Sequence, residues 1–406
     1  MKLETSILSN GIRLVHQQVD SQVAHLGVLF NTGSRDEQDN QQGLAHFYEH
    51  LIFKGTQHRK THHILNRIED VGGEINAYTT KEETAVHASF LKKYYARTVE
   101  LLADIVKNST FPENEIEREK EVIIEEINSY KDSPSELIFD DFEDLIYKNH
   151  PIGRNILGTP ELIKRYTRKE ILQFVAENYF TDEMVISSVG NISFKRLEPL
   201  IKQHFGGMPS KSRVIVREKF QLYQPAIKRV EMDTYQSHCL IGNLAYDVFH
   251  SKRLAMILFN SILGGQSMNS RLNLSLREKY GLAYNVESSY TSYVDTGLFN
   301  VYFATDKENL DRAIRLVHKE FKQMREKSLG TMQLAKAKKR LLGQMAIASE
   351  NREDSMLALG KSFMLFNKID DFKMLCREVE EITALDILEV ANEILVESQL
   401  STLIFE

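Results

Sequence analysis

One succession of elements occurs twice in this chain, and that replay restricts its possible folds more than any other feature. Residues 62–107 read as helix, glycine turn, two strands and helix, with Gly72-Gly73 at the turn. Residues 268–321, MNSRLNLSLREKYGLAYNV through IRLVHKEF, give the same order, with Gly281 where the first glycines fall. Both halves finish on an apolar strand, MVISSVGNI in one and LSTLIFE in the other. The expected fold is therefore α+β, with two homologous domains of ordinary size, each a mainly antiparallel sheet packed with helices. The run GGMPSKSRVIVREKFQLYQPA carries two glycines and two prolines and reads as a linker. The boundaries expected are a domain over 1–208, a linker over 209–226 and a second domain over 227–406.

The finer pattern agrees with that frame. Asn10-Gly11 sits between two alternating runs, a hairpin signal, and HLGVLF reads as an apolar strand. KKYYARTVELLADIVKN is an amphipathic helix, and Pro112 opens another, ENEIEREKEVIIEEINSY. Of the 406 residues 42% are hydrophobic and 27% charged, ample for sizeable cores. The formal charge of −6 gives no reason to expect nucleic acid or an anionic membrane as partner. No apolar run approaches the ~18 residues that span a bilayer. The N-terminal MKLETSILSNGIRLVHQ lacks the apolar core of a secretory signal. Two distant cysteines, Cys239 and Cys376, read as free thiols, so a cytoplasmic, reducing compartment is the expectation.

Chemistry concentrates in GLAHFYEHLIFKGT, residues 43–56. On a helix His46 and His50 lie one turn apart on one face, so both imidazoles can reach a single ion while Glu49 projects beside them. Leu44, Phe47 and Leu51 form a separate apolar stripe that can pack on a sheet. Catalytic zinc takes three protein ligands and leaves a position for water, whose proton Glu49 could take. Two histidines at this spacing also occur simply as partly buried polar residues. A third ligand must come from elsewhere, and the helix after Pro112 offers seven glutamates: 113, 115, 117, 119, 121, 125 and 126. Glu119 and Glu126, two turns apart and bordering Ile123 and Ile127, share a side that can face inward, whereas Glu125 turns about 100° away. Spacing prefers Glu126 with Glu119 over the rest, though modestly. Ligands of this type would also hold cobalt or manganese.

HFYEH is an inverted HExxH, the inverzincin signature. Together with SNGIRLV, GSRDE, GGEINAYTTKEETAVHAS and EREKEVIIEEI it resembles the pitrilysin-type (M16) zinc metallopeptidases, above all the short two-domain members similar to the mitochondrial processing peptidase beta subunit. The resemblance covers essentially the whole chain. It implies that His46, His50 and Glu126 bind one zinc ion per chain, that Glu49 is the general base, and that Glu119 supports the ligands from behind. It places Asn76 and Ala77 on an edge strand where substrate backbone adds as a further strand. LREKYGLAYNV resembles the family's Arg/Tyr pair, here Arg277 and Tyr284, which bind substrate and assist the oxyanion; read without the resemblance, they are a surface charge and a packed aromatic. Tyr280 stands where relatives often carry a basic residue.

The function so implied is a zinc endopeptidase that cuts peptides or unfolded segments inside a chamber formed by a homodimer, since one chain carries both half-sites. Two alternatives stand beside it. A non-catalytic scaffold would have no physical need for an inward-facing His-His-Glu cluster, and a subunit requiring a different partner chain would be inactive alone.

Overall fold

Asn10 and Gly11 close the first hairpin: Gly11 takes φ +93°, and Leu8 and Ile12 are joined by a backbone hydrogen bond of 2.8 Å. The hairpin pairs β1 (Lys2–Ile7) with β2 (Arg13–Gln18). The computed structural model describes residues 2–212, 217–265, 267–369 and 372–406. Two compact units result. The first comprises Met1–Asn128, Arg154–Arg217 and Ile347–Ile369, the second Ser129–Gly153, Glu218–Ala346 and Asp370–Glu406.

In the first unit β3 (Val23–Phe30), β4 (Glu74–Thr79), β5 (Thr84–Leu91) and β6 (Met184–Gly190) complete a six-stranded sheet of order β1-β2-β6-β3-β5-β4. Only β2 and β6 run parallel. Alternation puts Leu26, Val28, Val86 and Phe90 on one face. There they meet Phe47 and Leu51 of α1 (Leu44–Leu51), Ile64 and Ile68 of α2 (Thr61–Glu69) and Val99 and Leu102 of α3 (Tyr95–Asn108). Beyond them α4 runs over Glu113–Lys131, started by Pro112 as its sequence predicts. The opposite face is covered by the helix Arg352–Phe366, whose Phe363 and Met364 pack on Val15 and Val185.

The second unit repeats this plan. Strands β7 (Ile227–Val230), β8 (Ser237–Ala245), β9 (Val286–Ser292), β10 (Gly297–Thr305) and β11 (Ser401–Phe405) are ordered β7-β11-β8-β10-β9, again with one parallel pair, β7 with β11. This is the order β2-β6-β3-β5-β4 of the first unit, direction for direction. Even the register corresponds, since Gly27 lies between Ser187 and His87, and Gly242 between Ser401 and Asn300. The turn glycines match as well: Gly72 and Gly281 take φ +74° and +59° ahead of the edge strands β4 and β9. The segment Asn273–Lys279 before Gly281 is a π-helix. The second face of this sheet is covered by α5 (Pro134–Ile146), whose Ile138, Phe142 and Ile146 cluster with Leu240, Tyr302 and Leu403.

The two α+β domains are thus mixed, mainly antiparallel sheets packed by helices, and each sheet borrows a covering helix from the other half of the sequence. The units accordingly differ from the contiguous blocks 1–208 and 227–406 in two segments, 129–153 and 347–369. Gly27 and Gly242 leave room for side chains of the borrowed helices. A Cβ on Gly27 would stand 2.8 Å from Met356 Sδ, and one on Gly242 3.0 Å from Phe142 Cε1. Of the linker expected over 209–226, residues 213–216 lie outside the described residues. Beside them Arg217 is bound to Asp36 in the first unit, and Tyr223 donates to Gln399 O in the second. Among the described residues no helix is long and apolar enough to cross a membrane.

Candidate metal centre

Helix α1 owes its position to both ends of its sequence. Gly43 enters it at φ +89°, where a Cβ would lie 2.6 Å from Leu157 O, so glycine is required on two counts. No side chain at Gly43 can cap the helix. Glu37 does so from a distance, its two carboxylate oxygens accepting the amides of Gly43 and Ala45 at 3.0 and 2.8 Å. Leu44, Phe47, Tyr48 and Leu51 are buried in the unit's core, which turns His46, Glu49 and His50 toward α4.

On α4 the apolar residues Ile116, Ile123 and Ile127 anchor one side, with buried Glu119 among them and Glu126 two turns beyond it. Three donors converge between the helices. Glu126 Oε2 lies 3.7 Å from His46 Nε2 and 3.5 Å from His50 Nε2. Ligand atoms of His46, His50 and Glu126 all fall within 4.8 Å of one another. Four-coordinate bonds of about 2.0–2.2 Å separate ligand atoms by roughly 3.3–3.6 Å, so the two approaches of Glu126 are close to those around one zinc-sized ion, and the three side chains form a cluster that could hold one.

The surroundings set their electrostatics. His50 Nδ1 is 3.1 Å from Glu119 Oε2; a neutral imidazole donates there, leaving the Nε2 lone pair for a metal. Glu119 Oε1 lies 2.6 Å from Lys54 Nζ. Burial pushes the Glu119 carboxyl upward, but hydrogen bonds from His50 and Lys54 outweigh it and hold the group below its ordinary range. Burial, with His50 alongside, pushes His46 down to about 3, so it is neutral and able to donate its lone pair. Its Nδ1 has no hydrogen-bond partner among the described residues. Glu49 is raised by burial, against a hydrogen bond with Thr79 and the charge of His50.

The other residues singled out from sequence lie as follows. Asn76 and Ala77 are on β4, an edge strand of the first sheet, with Asn76 exposed and Ala77 half-buried. Thr79 Oγ1, on the same strand, donates to Ala45 O of α1. Arg277 and Tyr284 are in the second unit, the guanidinium 4.9 Å from the centre of the phenol ring. Tyr284 is 82% exposed, so the packed-aromatic alternative does not hold. Sequence reasoning passed over two residues that support this centre. Lys54 stands four after His50, the spacing of a same-face neighbour. Glu37 belongs to the polar run before α1, where nothing in the sequence singles it from Asp36 or Asp39.

Comparison with known proteins adds to this geometry. Residues 13–160 match the family model described as insulinase (peptidase family M16), and residues 165–341 match the peptidase M16 inactive domain. An uncharacterized zinc protease of Bacillus subtilis, YmxG, is 31% identical over 94% of this chain and 92% of its own length. A probable mitochondrial-processing peptidase subunit beta of Schizosaccharomyces pombe is 30% identical, covering 97% of this chain and 89% of that protein. The fold is shared with a crystal structure of a protease from Helicobacter pylori, at a TM-score of 0.91 and 22% identity over 100% of this chain and 99% of that one.

Proposed function

Because this chain belongs to peptidase family M16, we propose that it is a zinc-dependent endopeptidase in which Glu49 is the general base. The convergence of His46 and His50 Nε2 on Glu126 carries this reading, together with the fit of their separations to one small ion. Bound there, zinc supplies the Lewis acidity that makes water nucleophilic near neutral pH and polarises a carbonyl. Glu49 takes a proton from the attacking water and returns it to the leaving amine nitrogen, a role suited to a carboxyl raised by burial. Glu119 holds His50 in the tautomer that offers Nε2. Asn76 and Ala77 receive an extended peptide as an added strand, which makes recognition depend on backbone more than side chains. Arg277 and Tyr284 hydrogen-bond the substrate carbonyl as charge develops on its oxygen.

Because one chain carries the donors of both half-sites, a homodimer enclosing a chamber is the assembly we propose, acting on peptides or unfolded segments. Two cysteines without a disulfide suit the cytoplasmic location that goes with it.

Glu49→Gln tests the reading directly. The variant should bind zinc as the parent does, while cleavage of a mixed peptide library, followed by mass spectrometry, falls by about 10²–10⁴. Chelation should abolish parental cleavage and added zinc restore it. Retained turnover in Glu49→Gln would sink the assignment of the base. Sizing the active sample decides whether a second copy suffices or a different chain is needed.

A further inference from the structure

The contacts behind His50 do not end at Glu119. Glu119 is buried, and each of its oxygens has its own partner: Oε2 faces His50 Nδ1 at 3.1 Å, and Oε1 faces Lys54 Nζ at 2.6 Å. Lys54 itself sits on a fixed turn. Its amide donates to Leu51 O at 3.0 Å, and its carbonyl accepts from Thr61 Oγ1, at the start of α2, at 2.9 Å. The following turn is tied to α3 through Thr56 and Arg59, both bonded to Asp104. The ammonium therefore reaches Glu119 from a held backbone.

We propose that Lys54 is a positioning residue for the metal ligand His50, acting through Glu119; the inference rests on the metallopeptidase reading only for the identity of the site. A carboxylate held at one oxygen can turn about its terminal torsion, and a buried one that loses its cation is left poorly compensated. Held at both oxygens, its plane is set, and with it the direction in which Oε2 accepts the Nδ1–H of His50. That bond selects the tautomer whose Nε2 lone pair faces Glu126 and His46. Lys54 also balances charge. Glu49, Glu119 and Glu126 bring three carboxylates to one place, and among the described residues Lys54 is the only lysine or arginine within ion-pair distance of any of them. One lysine and one divalent cation neutralise the three.

The test uses the full chain, with Lys54→Met and Lys54→Arg, and two readouts that need no peptide cleavage. In zinc-free protein labelled with ¹⁵N-histidine, the parent should show His50 with its proton on Nδ1, and Lys54→Met a mixture of tautomers. Zinc affinity, measured by competition with a chromogenic chelator, should fall about 10–100-fold in Lys54→Met, the range found when a ligand's outer partner is lost. Lys54→Arg, which keeps the charge, should recover most of it. Thermal unfolding of the zinc-free proteins reports whether the fold is intact; should Lys54→Met not fold, Lys54→Gln takes its place, with the same two readouts and the same changes expected. Parental zinc affinity with an unchanged tautomer overturns the proposal, as does an equal loss in Lys54→Arg. A parent that binds zinc yet cleaves nothing would count against the peptidase reading and leave both readouts able to judge Lys54.

Discussion

Three side chains donate to one carboxylate at Asp104: Thr56 at 2.8 Å, Arg59 at 2.5 Å and Asn108 at 2.8 Å. Burial raises this group, but the hydrogen bonds from Asn108, Arg59 and Thr56 prevail and hold it below its ordinary value of ~3.9. A depressed carboxyl stabilises the fold fully above its unfolded pKa, and the stabilisation fades as pH falls through its folded one. Urea unfolding should therefore show a loss of stability below about pH 4 that Asp104→Asn lessens, at a cost near neutrality of about 1.5–3 kcal/mol. At this scale the sequence was informative about the pair and less so about its partners. Helical spacing brought His46, Glu49 and His50 to one face, whereas seven glutamates competed to be the third ligand. Two turns of stacking pointed to Glu119 and Glu126. The 3.1 Å bond between Glu119 and His50, and the approach of Glu126 to both Nε2 atoms, separate their places.

Helix α1 spans eight residues, too few to be stable alone, so the element that carries two of the candidate metal ligands depends on its ends and its packing. Its apolar stripe was legible by period. Its cap was not, because Glu37 lies six residues before Gly43 and reaches the amides only after the intervening loop has folded. Arg154 helps to hold that loop, donating to Glu37 O at 2.9 Å. Glu37→Ala should lower stability by about 1–2 kcal/mol through the lost cap, read as a drop in Tm. It should also weaken zinc binding, since the helix start that orients His46 loosens. An unchanged Tm would show that packing alone holds α1.

At the scale of the molecule, each sheet is closed by a helix from the opposite half of the chain: α5 closes the second sheet and Arg352–Phe366 the first. A fragment of residues 1–226 would keep all three candidate metal ligands but leave Val15 and Val185 without their cover. A fragment of residues 227–406 would likewise uncover Leu240 and Leu403. Expressed separately, each should bind a hydrophobic dye and lack a cooperative unfolding transition; expressed together, they should recover both folding and zinc binding. Independent folding of either fragment would show that the borrowed helix is dispensable.

Whatever depends on local period and spacing was readable from the order of amino acids alone. That covers the hairpin at Asn10-Gly11, the strand and helix order repeated across the halves, and the one helix face bearing His46, Glu49 and His50. These follow from 2.0- and 3.6-residue periodicities and from glycines whose positive φ other residues resist. Long-range contacts had to settle which carboxylate meets the histidines, which cation stands behind Glu119, and which sheet each amphipathic helix covers. An apolar stripe states that a surface must be buried but not against what, and a charged side chain has no partner until the chain brings one within reach.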